Sequence, residues 1–118
     1  MDMELSVIIS AHNEERYLPA QLDALMAQDW DGEWEVIVVD NRSTDATAQI
    51  VADHAARDPR IRLVAAHERA GQSYGRNVGA RAAEGTNLAF CDADDIVGAG
   101  WLAAIGDGLR QHEVVTAH

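Results

Sequence analysis

Asp92, Asp94 and Asp95 stand together in the stretch "NLAFCDADDIVGAGW", directly after four mostly apolar residues, Leu88 to Cys91. The chain carries a formal net charge of −11, so three carboxylates clustered at the mouth of a buried-strand pattern need a physical reason. Alternate residues of an extended segment project to the same side, which lets Asp92 and Asp94 converge on one point. Two carboxylates held that close repel unless a cation lies between them or one is protonated. Hard oxygen ligands with open positions suit Mg²⁺ or Mn²⁺, which take a few carboxylates together with substrate phosphate oxygens. The alternative for such a run is a solvated turn, with Asp95 capping the next turn of the chain.

Other residues with chemical potential lie at comparable places. Asp40 ends the run "VIVVD", where it reads either as a turn residue reaching toward Ser43 or as an acceptor for a nucleobase or ribose. Ser10, Ala11, His12, Asn13 and Glu14 come after the first apolar run. Arg76 sits near the start of a helical pattern, where free backbone donors already favour an anion. Gly75 and Gly79 are four apart in that segment and mark close packing of helix on sheet. His54, His67 and His112 lack metal-ligand spacing and read as surface or packing residues. Cys91 reads as a small buried apolar residue.

The elements that must position these groups are legible from the periodicity. Residues 5–10, 35–40, 61–66 and 87–91 are short β-branched runs, with a fifth strand starting at 113–116. Their near-continuous Val and Ile content indicates strands buried on both faces, as in parallel sheets. Between them, "YLPAQLDALMAQ" places Leu18, Leu22, Leu25 and Met26 on one helical face, with Pro19 in the first turn. A second helix is predicted after Ser43 or Thr44 as cap, with Asp45 in its first turn. A third runs from Ser73 as cap to Gly85 as terminator, and a fourth carries Trp101, Leu102, Ile105 and Leu109. Strand and helix alternate, so the class is α/β with a mostly parallel sheet. Ligands of such sheets bind beyond the carboxyl ends of the strands, where these polar residues collect.

Composition narrows the chemistry. A length of 118 residues with 47% hydrophobic content is read as one domain spanning 1–118. The nine basic residues are all arginine, which excludes a P-loop lysine and Schiff-base chemistry. The acidic balance offers no basic patch for nucleic acid. "AHNEE" after the first strand is not a G-x-G-x-x-G turn, which excludes a dinucleotide fold. A receiver domain needs a lysine after strand five and an aspartate after strand three, where this chain has Ala65, Ala66 and His67. No apolar run reaches membrane-spanning length, the N-terminus lacks a signal-peptide pattern, and the single cysteine sets a cytoplasmic location as the expectation.

Three collinear blocks, "LSVIISAHNEERYLPAQLDAL", "EVIVVDNRSTDAT" and "GQSYGRNVGARAAEGTNLAFCDADD", resemble the N-terminal half of a family 2 glycosyltransferase of the GT-A fold. The resemblance implies a Rossmann-like sheet flanked by helices and cut short after about the fifth strand. It implies metal-dependent binding of a nucleotide-diphosphate sugar, with a UDP-sugar favoured and GDP- or dTDP-sugars as the alternatives. Ala11, His12 and Glu14 would support the base and Asp40 would accept from it, while Arg76 would lie along the nucleotide. Asp92 and Ala93 would contact the donor, and Asp94, with Asp92, would ligate Mn²⁺ or Mg²⁺. Sugar transfer to an acceptor hydroxyl would proceed with inversion, the general base being expected beyond His118. The chain departs from the family pattern at Ser10 for a proline, His12 for a tyrosine and Asn41 for a second aspartate. Two readings result: the donor-binding portion of a longer enzyme, or a short non-catalytic binding module. An incomplete sheet would expose a strand edge and favour self-association.

Overall fold

The computed structural model describes residues 3–111. Four strands, β1 (Leu5–Ala11), β2 (Trp34–Asp40), β3 (Ile61–Ala65) and β4 (Asn87–Phe90), alternate with four helices. The helices are α1 (Leu18–Met26), α2 (Thr47–Arg57), α3 (Gln72–Ala82) and α4 (Trp101–Gln111). The strands form one parallel sheet in the order β3-β2-β1-β4. Register sets the functional rim. Ala11 pairs with Asp40 and Asp40 with Ala65, so three strands release their loops at the same level.

Every residue of β1 and β2 is buried, as expected for central strands covered on both sides. Val7, Ile9, Val36 and Val38 pack against Leu18, Leu22 and Leu25 of α1, Val51 of α2, and Leu102 and Ile105 of α4. Ile8, Ile37 and Val39 face the opposite way and meet Tyr74 and Val78 of α3. Thus, among the described residues, three helices cover one face and a single helix covers the other. The glycine spacing in α3 explains its close seat: a Cβ on Gly79 would lie 2.6 Å from Cγ2 of Ile8. β4 pairs only with β1 among the described residues.

The α3 face also buries a polar node. Ser6 donates to Glu35 (2.6 Å), Arg62 Nε donates to the same carboxylate (3.0 Å), and the Glu84 amide adds a third bond (2.8 Å). Arg62 donates in turn to the carbonyl of Ala82, at the end of α3 (2.7 Å). Burial pushes the Glu35 carboxyl up, but the bonds from Ser6, Glu84 and Arg62 outweigh it and hold the group below its ordinary value.

The strands match their sequence assignments to within a residue or so, and Pro19 lies in the first turn of α1. The helix ends differ. α2 begins at Thr47, because Ser43 and Thr44 are engaged by Asn13 from the neighbouring loop; Asp45 precedes the helix and accepts from the Thr47 amide at 2.9 Å. α3 begins at Gln72 after Gly71, so Ser73 is inside the helix and not its cap. Gly71 holds φ 120°, ψ 149°, a conformation that glycine adopts without steric cost. Gly85 is not a left-handed terminator: it packs flush on β1, where a Cβ would lie 2.6 Å from the Ser6 nitrogen. The fifth strand assigned to 113–116 lies outside the described residues.

Candidate donor-binding rim

The loops after β1 and β2 are built as one unit. Asn13 takes φ 52°, a conformation asparagine tolerates better than most residues. From there its side-chain oxygen accepts from the amides of Thr44 (2.7 Å) and Asp45 (3.3 Å). The exchange is reciprocal: the Asn13 amide donates to Ser43 (3.0 Å), the Glu14 amide to Thr47 (2.9 Å), and the Ala46 amide to Glu15 (3.1 Å). Loop amides that would otherwise go unpaired beside the core are satisfied across the gap between two strands.

A second tie joins the β2 loop to the segment before α3. Asn41 is 3% exposed, and both its side-chain N–H donors and its oxygen are engaged. Its nitrogen donates to the carbonyls of Ala66 (2.7 Å) and Arg69 (2.6 Å), and its oxygen accepts from the Gly71 amide (2.9 Å). This explains why asparagine suits the position: two of its partners are carbonyls, which a carboxylate would repel. His12 Nδ1 lies 2.7 Å from the Asn41 carbonyl, which orients the ring over the same loop. Asp40 is buried at the strand end and accepts from the Ser43 amide (3.3 Å), so the turn role expected of it is present. His67 also belongs to this rim. Its Nε2 is 3.7 Å from Asp40, and its Nδ1 accepts from the Arg42 amide at 3.0 Å.

The aspartate segment leaves β4 as a turn and not as an extended strand; the Asp95 amide donates to the Asp92 carbonyl at 3.4 Å. Ala93 points into the core while Asp94 and Asp95 are exposed and Asp92 is half-buried. Arg76 reaches Asp92 across the cleft at 3.7 Å, both side chains being about half open (40% and 47%). A pair that exposed contributes little stability and can exchange partners readily. Burial, followed by the charges of Asp94, Asp45 and Asp92, pushes the Glu14 carboxyl above its ordinary value. Glu14 therefore shares one electrostatic neighbourhood with Asp92 and Asp94.

Between the β1 loop and the start of α3 lies a cavity of about 290 Å³, bordered by Ser10, His12, Glu14, Asn41, Gly71 and Gln72. Ser10 stands at its edge beneath Gly75, and its hydroxyl is buried without a hydrogen-bond partner. The rim carries His12, Glu14, Asp40, Asp92 and Asp94 at the carboxyl ends of three strands, with Arg76 facing it from α3, while the side chains of Ala11 and Ala93 turn into the core. His67 and Gln21 join it although the sequence assigned neither. Gln21 had a readable signal: it is a polar residue three positions from Leu18 on an otherwise apolar helical face.

Among the described residues, no three His, Cys, Asp or Glu side chains gather closely enough to enclose a metal ion. The donors nevertheless fit a Mg²⁺- or Mn²⁺-type site completed by a ligand. Asp94 and Asp92 would supply hard oxygens, and the crowding felt by Glu14 is what a divalent cation would relieve.

The glycosyl transferase family 2 profile matches residues 6–117. The chain belongs to that family. Its curated relatives include glycosyltransferase EpsJ of Bacillus subtilis, 32% identical over 111 residues, covering 93% of this chain and 31% of the relative. The chain therefore spans about a third of the length of that protein. Among solved structures, S. aureus TarS 1–349 in complex with UDP-GlcNAc superposes with a TM-score of 0.77 at 33% identity, over 94% of this chain and 32% of that one. A mannosyltransferase from Pyrobaculum calidifontis in complex with GDP-Man and Mn²⁺ gives 0.69 at 32% identity, over 80% of this chain and 28% of that one. The family 2 chain has the GT-A sheet and helices, and its rim lies at the carboxyl ends of that sheet's strands.

Proposed function

We propose that this family 2 chain binds the nucleoside-diphosphate end of an activated sugar on the rim, as the donor-binding part of an inverting glycosyltransferase. What carries the reading is the convergence of Asp40, Arg76, Glu14, Asp92 and Asp94 where parallel strands end. UDP-GlcNAc in TarS and GDP-Man in the archaeal mannosyltransferase support a nucleotide-sugar donor, with a UDP-sugar favoured. The base enters beside His12 and Ala11, where the ring offers a stacking face and buried Asp40 an acceptor. Arg76 leaves Asp92 to lie along the nucleotide, which places its charge on the diphosphate. Asp92 and Ala93 border the ribose and sugar side. Asp94, with Asp92, would hold Mn²⁺ or Mg²⁺, which when bound offsets the charge of the departing diphosphate. The lone thiol of Cys91 fits a reducing compartment, so the cytoplasm is part of this proposal.

Calorimetry of UDP, GDP and dTDP, each with and without Mn²⁺, tests the reading. UDP is expected to bind, more tightly with the metal, and Asp92→Ala with Asp94→Ala to abolish the metal-dependent gain. No heat from any nucleoside diphosphate with Mn²⁺ present, or an unchanged metal requirement in the double variant, overturns it.

A further inference from the structure

Gln21 is fully buried in α1, among Leu18, Leu22 and Leu25. A primary amide there would be costly unless every valence were met. A single segment engages both its N–H donors and its oxygen. Nε2 donates to the carbonyls of Asp92 (2.8 Å) and Asp95 (2.9 Å), and the Val97 amide donates to Oε1 (3.0 Å). One side chain thus holds both carbonyls that bracket Ala93 and Asp94, together with the amide at the end of the turn. Gln28, just past the end of α1, does the equivalent for the start of α4. It donates to Gly98 (2.9 Å) and accepts from Leu102 (3.0 Å), away from the carboxylates.

We infer that Gln21 is a positioning residue for the carboxylate turn: it fixes the backbone on either side of Asp94, so that Asp92 and Asp94 meet cation and diphosphate together. Asp94 is exposed and, among the described residues, has no hydrogen-bond or ion-pair partner of its own, so its placement depends on the main chain that carries it. The backbone is anchored from beneath by Gln21 and, through Ala93, by apolar packing. Apolar contact alone would leave the turn free to rotate about Ala93; the two carbonyl bonds stop that rotation. This inference rests on the donor-binding reading proposed for the rim.

The test compares UDP affinity with and without Mn²⁺, by calorimetry, in the native chain, Gln21→Met and Gln28→Met. Gln21→Met keeps volume and removes all three bonds. Groups that orient metal ligands change metal affinity by about 10- to 100-fold when removed, and a loss of that order is expected in the Mn²⁺-dependent gain. Metal-free UDP affinity should stay within about twofold. Gln28→Met should lower the thermal midpoint while leaving the metal-dependent gain as it is. In an Asp94→Ala background, Gln21→Met should cost nothing further in the metal term. Should Gln21→Met prevent folding, Gln21→Glu carries the same test, since it keeps the acceptor for Val97 and loses the donors to both carbonyls. A full metal-dependent gain in a folded Gln21 variant overturns the positioning role alone. Absence of that gain in the native chain overturns the donor-binding reading and this inference with it.

Discussion

Asn41 shows how much of the rim depends on single side chains. Its carboxamide, itself buried, links the end of β2 to two carbonyls and an amide in the segment leading to α3. Leaving buried partners unsatisfied costs about 1–3 kcal/mol. Asn41→Asp should therefore lower unfolding free energy by about that amount, read from urea denaturation, although the two side chains have nearly the same shape. A variant as stable as the native chain would mean that the loop can find other donors. The substitution also separates two explanations of the sequence. If this position needed charge for ligand binding, Asn41→Asp would raise nucleotide affinity, whereas the hydrogen-bond pattern predicts a loss.

At the scale of elements, α3 is the most constrained. Gly79 sits where a Cβ would meet Ile8 at 2.6 Å and Val39 at 2.9 Å, and both are central-strand side chains. Gly79→Ala should push the helix off the sheet and destabilise the fold by about 1–3 kcal/mol, outweighing alanine's better helix propensity. Thermal melts check this; an unchanged or higher midpoint would contradict the close seating. The far end of α3 has a pH signature. Glu35 is held below its ordinary value of 4.5, so its contribution is complete above that pH and is lost as pH falls through the lower folded value. Melting midpoints from pH 7 to 3 should fall less steeply in Glu35→Gln than in the native chain, with the variant already weaker at pH 7. The strands behind these contacts were legible because two-sided burial writes continuous Val and Ile runs into the chain. The starts of α2 and α3 were not, because Ser43 and Thr44, for example, read locally as caps while their partner Asn13 belongs to a loop thirty or so residues away. Local pattern does not record such cross-loop bonds.

For the molecule as a whole, the net charge of −11 and an anionic ligand are reconciled at one place, where Arg76 and a cation between carboxylates would meet the diphosphate. Binding to the folded state alone raises stability by mass action, by about 2.7 kcal/mol at a hundredfold excess over Kd. UDP with Mn²⁺ should therefore raise the thermal midpoint clearly, UDP alone less, and neither should do so in the chain bearing both Asp92→Ala and Asp94→Ala. The family was recognisable from the sequence through three spaced blocks, and the candidate site residues were read from those blocks. His67 and Gln21 were not assigned, because one reads as a surface histidine and the other falls within an amphipathic stripe. Their roles exist only once β3 lies beside β2 and α1 lies under the turn after β4. The lopsided layering has its own corollary. Since α3 alone, among the described residues, roofs its side of the sheet and also carries Arg76, occupancy should be visible as slowed amide exchange along residues 72–82. A small molecule that leaves those amides exchanging at their resting rate is bound elsewhere on the surface.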